Sequence, residues 1–358
     1  MAIHRKDVAE LAGVSPAVVS YVLNGGPRGV APETRERVLA AVEQLSYRPN
    51  GIARSLRMNR TMTLGLVIPD SANPFFAELA RAVEEAAFDA GYTLLVGNAT
   101  DDEARQTTYV RTFLQRQVDG LLLVPSHGPV ECLAELRRSN TPWVVMDRRV
   151  EHLANVSQVL VDGRRGAKEA TEHLLQHGRR EIACIAGPVD VTATADRLAG
   201  WRDALTEAGR RPKKTLIRNV KFGRLAGYRA AMDLFSTRRP DAAFVASDEQ
   251  ALGVLRALAE LGLRCPEDVA VASFDGIAPA AYAVPALTTM AQPFDRLGQQ
   301  AIALLTKRMA DPDAGAELAM LPVELVARGS CGCADSYGEL IDETPGDSGA
   351  DRTGVARR

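Results

Sequence analysis

Apolar residues recur along the chain in two different rhythms. Between Arg5 and Asn24 they stand at Val8, Ala9, Leu11, Ala12, Val14, Val18, Val19, Val22 and Leu23, two short helical periods interrupted at Gly13. Gly13 can take the left-handed conformation that a tight turn between two helices demands. Ser15 is placed to cap the second helix, and Pro16 fits its first turn, where no amide donor is needed. Ala9, Gly13 and Val19 supply a small residue, a turn glycine and a buried β-branched residue, as a helix-turn-helix requires. A third helix is predicted from Pro32 to about Tyr47, with Val38, Val42 and Leu45 on one face. In the second helix Val19, Val22 and Leu23 face the small core. Pro16, Ala17, Ser20, Tyr21 and Asn24 then point outward, toward a DNA major groove, with Ala17 able to touch a thymine methyl and the hydroxyls of Ser20 and Tyr21 able to reach phosphates.

After Thr61 the rhythm changes. "TLGLVIPD", "YTLLVGNA", "GLLLVP", "WVVMD", "QVLVD", "IACIAG", "AAFVASD" and "VAVASFD" are continuous apolar runs, separated by helical stretches such as "PFFAELARAVEEAAFDAG" and "EQALGVLRALAELG". Continuous apolar strands alternating with helices imply parallel sheets covered on both faces, and eight of them suit two similar halves better than one open sheet. Ligands in such sheets bind beyond the carboxyl ends of the strands, which here carry Asp70, Asp147, Ser247, Asp248 and Asp275.

Between these regions lies "YRPNGIARSLRMNRT". Asn50 can cap a helix over "IARSLR", but a helix that short is not stable alone in water. A basic, conditionally helical segment carrying Leu56 fits a hinge that folds in the minor groove and wedges the leucine between base steps; a plain solvated linker is the alternative.

Charge sharpens the division. The net charge is −2, yet up to Arg60 the basic residues outnumber the acidic ones, so a basic head precedes a mildly acidic body and a polyanion partner is expected at one end only. No apolar run approaches a membrane span, and the charged start "MAIHRKDVAELAG" lacks the apolar core of a secretory signal, which points to the cytoplasm and no membrane partner. Five cysteines do not make a disulfide framework. Cys331 and Cys333 of "SCGC" are half of a metal site, but no second Cys or His pair at ligand spacing accompanies them in the sequence, so neither metal nor cofactor is expected. No phosphate-binding glycine loop, HExxH or GxSxG motif is present, and an enzyme is not expected.

"KDVAELAGVSPAVVSYVLNG", "ETRERVLAAVEQLSYRPNGIARSLR" and "LGLVIPDSANPFFAELARAVEEAA" together resemble the lac repressor family of transcription regulators, and the similarity runs from Arg5 to about Ser330. The resemblance implies an all-α helix-turn-helix head at residues 1–47, a hinge at 48–61 and a periplasmic-binding-protein-like α/β effector domain at 62–330. That domain divides into an N-subdomain (62–161 and 290–321) and a C-subdomain (162–289 and 322–330), with the chain crossing near 162, 290 and 322. It places Pro16 and Ala17 on the positions that choose operator bases and Ala53, Leu56 and Arg57 on the hinge positions that enter the minor groove; Ser15, Ser20, Tyr21, Asn24, Asn50 and Arg54 complete the expected DNA-binding set. It places the effector pocket between the subdomains, where Phe75, Phe76 and Phe222 offer flat apolar faces, Arg197 a five-donor fork, and Asp147, Asp275 and Ser247 polar groups. Such a set suits a sugar or sugar derivative, with a nucleobase as the alternative. The implied function is a ligand-responsive repressor of a carbohydrate utilisation operon, bound as a homodimer to a pseudo-palindromic operator. Val18, Tyr21 and Arg5 depart from common family residues in the head, and Ser247, Gly276 and Gly163 do so in the body. The tail, 331–358, is polar and reads as disordered, and without a leucine heptad a dimer is expected rather than a tetramer.

Overall fold

The computed structural model describes residues 3–24, 29–48, 60–126, 131–151 and 155–334. It separates into two compact units, one up to Met62 and one from Thr63 onward.

Among the described residues the first unit holds three helices, α1 (Arg5–Leu11), α2 (Pro16–Asn24) and α3 (Pro32–Gln44). Gly13 takes φ +63° in the turn between the first two. The Ser15 hydroxyl accepts from the Val18 amide at 3.4 Å, which caps α2 on the turn that Pro16 begins. Val8, Ala9, Ala12, Val19, Val22, Val38 and Ala41 form the core, with Leu23, Val42, Leu45 and Tyr47 packed against it. Two expectations need correcting. Helix α3 ends at Gln44 rather than near Tyr47, because Ser46 turns to φ 46°. Ser20, expected on the outward face, is only 8% exposed. Its side chain is short and lies one position from Val19 on a helix that contacts both α1 and α3, so its neighbours cover it before it reaches solvent.

The second unit contains two six-stranded sheets, in the orders β11-β5-β4-β3-β1-β2 and β12-β10-β9-β8-β6-β7. The eight apolar runs became β1 (Thr63–Ile68), β2 (Thr93–Asn98), β3 (Gly120–Leu123), β4 (Trp143–Met146), β5 (Ser157–Val161), β6 (Ile182–Ala186), β8 (Ala242–Val245) and β9 (Ala270–Asp275). Four strands were not anticipated: β7 (Ile217–Asn219), β10 (Thr288–Ala291), β11 (Leu318–Leu321) and β12 (Glu324–Val326). β7, β10 and β12 are three or four residues long and are interrupted by Arg218, Asn219, Thr288, Thr289 or Glu324, whereas β11, LAML, is a short apolar run that the reading passed over. Pairing is parallel throughout except between β10 and β12.

Strand alternation explains why both faces are apolar. In the first sheet Leu64, Leu66, Ile68, Leu122, Val144 and Met146 share a cluster with Leu79 and Val83 of the helix Pro74–Asp89 and Leu297 and Leu305 of the helix Phe294–Ala310. Their neighbours in sequence, Val67, Leu121, Leu123 and Val145, face the other way onto Val110, Phe113 and Leu136. The second sheet repeats the arrangement, with Ile182, Cys184, Phe244, Ala272 and Phe274 against Trp201, Leu174 and Leu205 on one side. The chain passes from the first sheet to the second after Val161, returns after Ala291, and leaves again after Leu321.

The polar tail was expected to be disordered from residue 331. Instead Gly329–Cys331 forms a single 3-10 turn and Cys331 is fully buried. Ser330 explains the anchoring: its hydroxyl donates to the Val271 carbonyl at 2.7 Å and accepts from the Thr288 amide at 2.8 Å.

Candidate effector cleft and DNA-reading face

A cleft at the carboxyl ends of the strands collects side chains from both sheets. It is lined by Asn73, Phe75 and Phe76 after β1, Asp147 and Arg148 after β4, Ala193 and Arg197 after β6, Phe222 after β7, Ser247 after β8, and Asp275 at the end of β9. All seven residues expected from the sequence to face an effector are among these ten. Asn73, Arg148 and Ala193 were not singled out. The tripeptide Asp147-Arg148-Arg149 closing an apolar strand was a usable signal for Arg148.

Local geometry fixes each group. Asn73 caps the helix Pro74–Asp89 by accepting from the Phe75 amide at 3.0 Å, which sets the two phenylalanines on its first turn. Their rings meet edge to face with centroids 5.0 Å apart, and the Arg148 guanidinium lies 5.4 Å from the Phe76 ring centroid. Arg148 is 7% exposed and donates to the carbonyls of Pro125 and Ser126.

Arg197 sits on the helix Thr192–Glu207 and is 4% exposed. It stacks 3.9 Å from the Phe274 ring centroid, donates to the Ala246 carbonyl, and pairs with Asp275 at 3.2 Å. Its Nε is buried without a hydrogen-bond partner. Burial raises the Asp275 carboxyl above the usual range even though Arg197 pulls the other way; Asp248 and Asp147 raise it further. Asp147 is also raised by burial, against Arg148 and Arg197. Both aspartates hold positive φ, 62° for Asp147 and 123° for Asp275, a conformation that costs energy in a residue other than glycine and is concentrated at functional sites.

Behind the cleft, Asp248 accepts from Ser273, from Thr289 at 2.7 Å, and from the amides of Gly276 and Ile277 at 2.7 and 2.9 Å. It therefore fixes the loop that follows Asp275. Gln292, in the segment that returns to the first sheet, donates to Asp275 at 2.9 Å and leaves its own carbonyl oxygen unpaired. On the rim, Arg149 pairs with Asp196 at 3.3 Å and Glu78 accepts from the Ala278 amide at 2.9 Å, both joining one half to the other.

On the head, Ser15, Pro16 and Ala17 are exposed at the start of α2 and Tyr21 is half-buried, while Ser20 is covered. Asn24 ends α2. The hinge residues Asn50, Ala53, Arg54, Leu56 and Arg57 lie outside the described residues.

Comparison with known proteins places these features. Residues 6–50 match the model for bacterial regulatory proteins of the lacI family, and residues 171–331 match a periplasmic binding protein-like domain. The HTH-type transcriptional repressor PurR of Erwinia tasmaniensis is 40% identical over 306 residues, 85% of this chain and 89% of that protein. The lac repressor dimer bound to operator and the anti-inducer ONPF superposes with a TM-score of 0.83 at 29% identity, covering 92% of this chain and 99% of that one. A complex of the transcriptional regulator CelR with cellobiose gives a TM-score of 0.70 at 32% identity, with the same coverage. The chain therefore belongs to the lacI family of bacterial regulatory proteins and is a DNA-binding transcriptional repressor, not an enzyme.

Proposed function

We propose that this repressor responds to a small polyhydroxylated effector, a sugar or sugar derivative, bound in the cleft between the two sheets. The observation that carries the reading is the convergence of Phe75, Phe76, Phe222, Arg197, Asp147, Ser247 and Asp275 on one cleft. Aromatic faces cover the apolar side of a sugar ring, and a guanidinium fork with carboxylates engages neighbouring hydroxyls. The cellobiose held by the related regulator supports the same class.

The cleft measures only about 30 Å³. Ligand pockets run from about 300 Å³ upward, so an effector enters only when the halves separate and the rim contacts of Arg149 with Asp196 and Glu78 with Ala278 give way. Effector binding thus selects between two arrangements of the halves, which is the differential interaction a ligand switch requires.

At the DNA end, Pro16 and Ala17 read base edges, with Ser15 and Tyr21 on the backbone and Asn24 beside them. Two heads of a homodimer engage a pseudo-palindrome, and the basic segment at 48–61 enters the minor groove at its centre, with Leu56 as the wedge between Asn50, Ala53, Arg54 and Arg57. The regulated genes then belong to carbohydrate use, and the domain boundaries follow the division at Met62 and the three crossings.

The test has two parts. Selection of duplexes from a random pool by the purified protein should return a pseudo-palindrome. Calorimetric titration with a panel of sugars and nucleobases should then find binding among the sugars; binding confined to nucleobases would transfer the cleft to planar heterocycles.

A further inference from the structure

Two histidines and two cysteines that have no part in the cleft meet on the second sheet. His173 closes the last turn of the helix Gly163–Gln176, and His177 follows as its C-terminal cap residue, so the four-residue spacing places both rings on one side, with centroids 4.7 Å apart. The cysteines come from "SCGC", 158 residues later in the chain for His173 and Cys331. Gly332 between them takes φ 104°, which lets both thiols turn toward the same point.

The ligand atoms of all four residues lie within 4.8 Å of one another. Cys331 Sγ is 3.1 Å from His173 Nε2, while Cys333 Sγ is 3.7 Å from His173 Nε2 and 3.3 Å from His177 Nε2. A tetrahedral zinc ion with ordinary bond lengths to sulfur and nitrogen separates those atoms by about 3.5 Å. The reading that no His pair accompanies Cys331 and Cys333 is therefore corrected by the structure.

We infer that His173, His177, Cys331 and Cys333 form a tetrahedral binding site for a zinc-class divalent ion. The donor set suits it, since two thiolates neutralise the ion and two imidazoles complete four-coordination without an open position. On binding, the two thiols release their protons to solvent and the imidazoles ligate as neutral bases through Nε2. One of the protons leaving is the one Cys331 shares with the Arg328 carbonyl at 3.1 Å.

Closed four-ligand sites are structural. This one joins the segment after β12 to the helix Gly163–Gln176, and that helix also packs on β9, β10 and β12. The opposite end of the same helix reaches the cleft, where Gly163 lies against Arg197. The ion acts as a clasp that closes the second half, about 20 Å along the helix from the effector.

Cobalt(II) reports the site directly. Full-length protein, reduced and stripped with a chelator, should take up one Co2+ per chain with the intense visible absorption of tetrahedral cobalt and a thiolate-to-metal band in the near ultraviolet, both displaced by Zn2+. Cys333→Ser should weaken the thiolate band, and His177→Ala, at an exposed position, should lower cobalt affinity by more than about 100-fold while leaving operator binding of the stripped protein unchanged. Weak octahedral-type absorption, an unchanged spectrum in both variants, or a Cys331–Cys333 disulfide that persists in reductant would each overturn the assignment.

Discussion

Asp275 shows how one residue can be both strained and placed for use. It is 5% exposed, holds φ 123°, and shares Arg197 and Gln292 as partners. Its carboxyl is raised in the folded protein, so folding takes up a proton there. A raised acid contributes stability that is complete below its unfolded value, near pH 4, and is lost as pH rises through the folded one. Asp275→Asn should therefore melt with a weaker pH dependence than the wild type between pH 4 and 8, the wild type losing ground as pH rises; parallel curves would show that Asp275 does not titrate in that window. Phe222 makes the opposite case, being half-buried and free of strain. Phe222→Ala should weaken effector binding by about 2 kcal/mol with little change in melting temperature, as titration calorimetry and thermal unfolding would show. At this scale Asp147, Ser247 and Asp275 were readable from their place at the ends of apolar strands, while Phe75, Phe76, Arg197 and Phe222 lie on helices or after the unanticipated β7 and entered through the family resemblance. Ser20 was not, because a helical period in a very small unit does not say how far its neighbours extend around the helix.

Helices carry the next level of information. Those at Arg224–Thr237 and Asp248–Glu260 pack backbone to backbone: a methyl at Gly253 would overlap the Arg224 carbonyl, and one at Gly227 would overlap the Gln250 carbonyl. Gly253→Ala should destabilise the larger unit by about 2 kcal/mol in denaturant titration, despite the higher helix propensity of alanine. In the head, Ser15→Ala removes the cap on α2 and should cost about 1 kcal/mol. Helices were legible from their period and eight strands from their continuous apolar runs. The short strands were not: β7, β11 and β12 are edge strands placed by the neighbour they join, and β10, between β12 and β9, opens on two threonines. The same limit hid the metal cluster: "HLLQH" and "SCGC" are each unremarkable half-sites, and only the fold brings them together.

For the molecule as a whole, the division at Met62 separates two cores of very different size. Calorimetry should resolve two unfolding transitions, and effector at a hundred times its dissociation constant should raise the larger one by about 2.7 kcal/mol while leaving the smaller in place. A shift of both would mean that the units unfold together. The two-sheet architecture followed from counting apolar strands, and the family resemblance supplied the crossings, which no local pattern announces.

Those crossings bear on how the protein is made. The helix Pro74–Asp89 buries Leu79 and Val83 against Leu297 and Leu305 of the helix Phe294–Ala310, and β11 completes the first sheet beside β5. A ribosome must add roughly 200 residues between those two helices, about 10 to 40 s of synthesis, during which the earlier one has an uncovered apolar face. The nascent chain is thus held open until its own end arrives. Chaperone demand should fall on the first half of the gene product, and truncations ahead of residue 294 should aggregate rather than yield a free-standing subdomain.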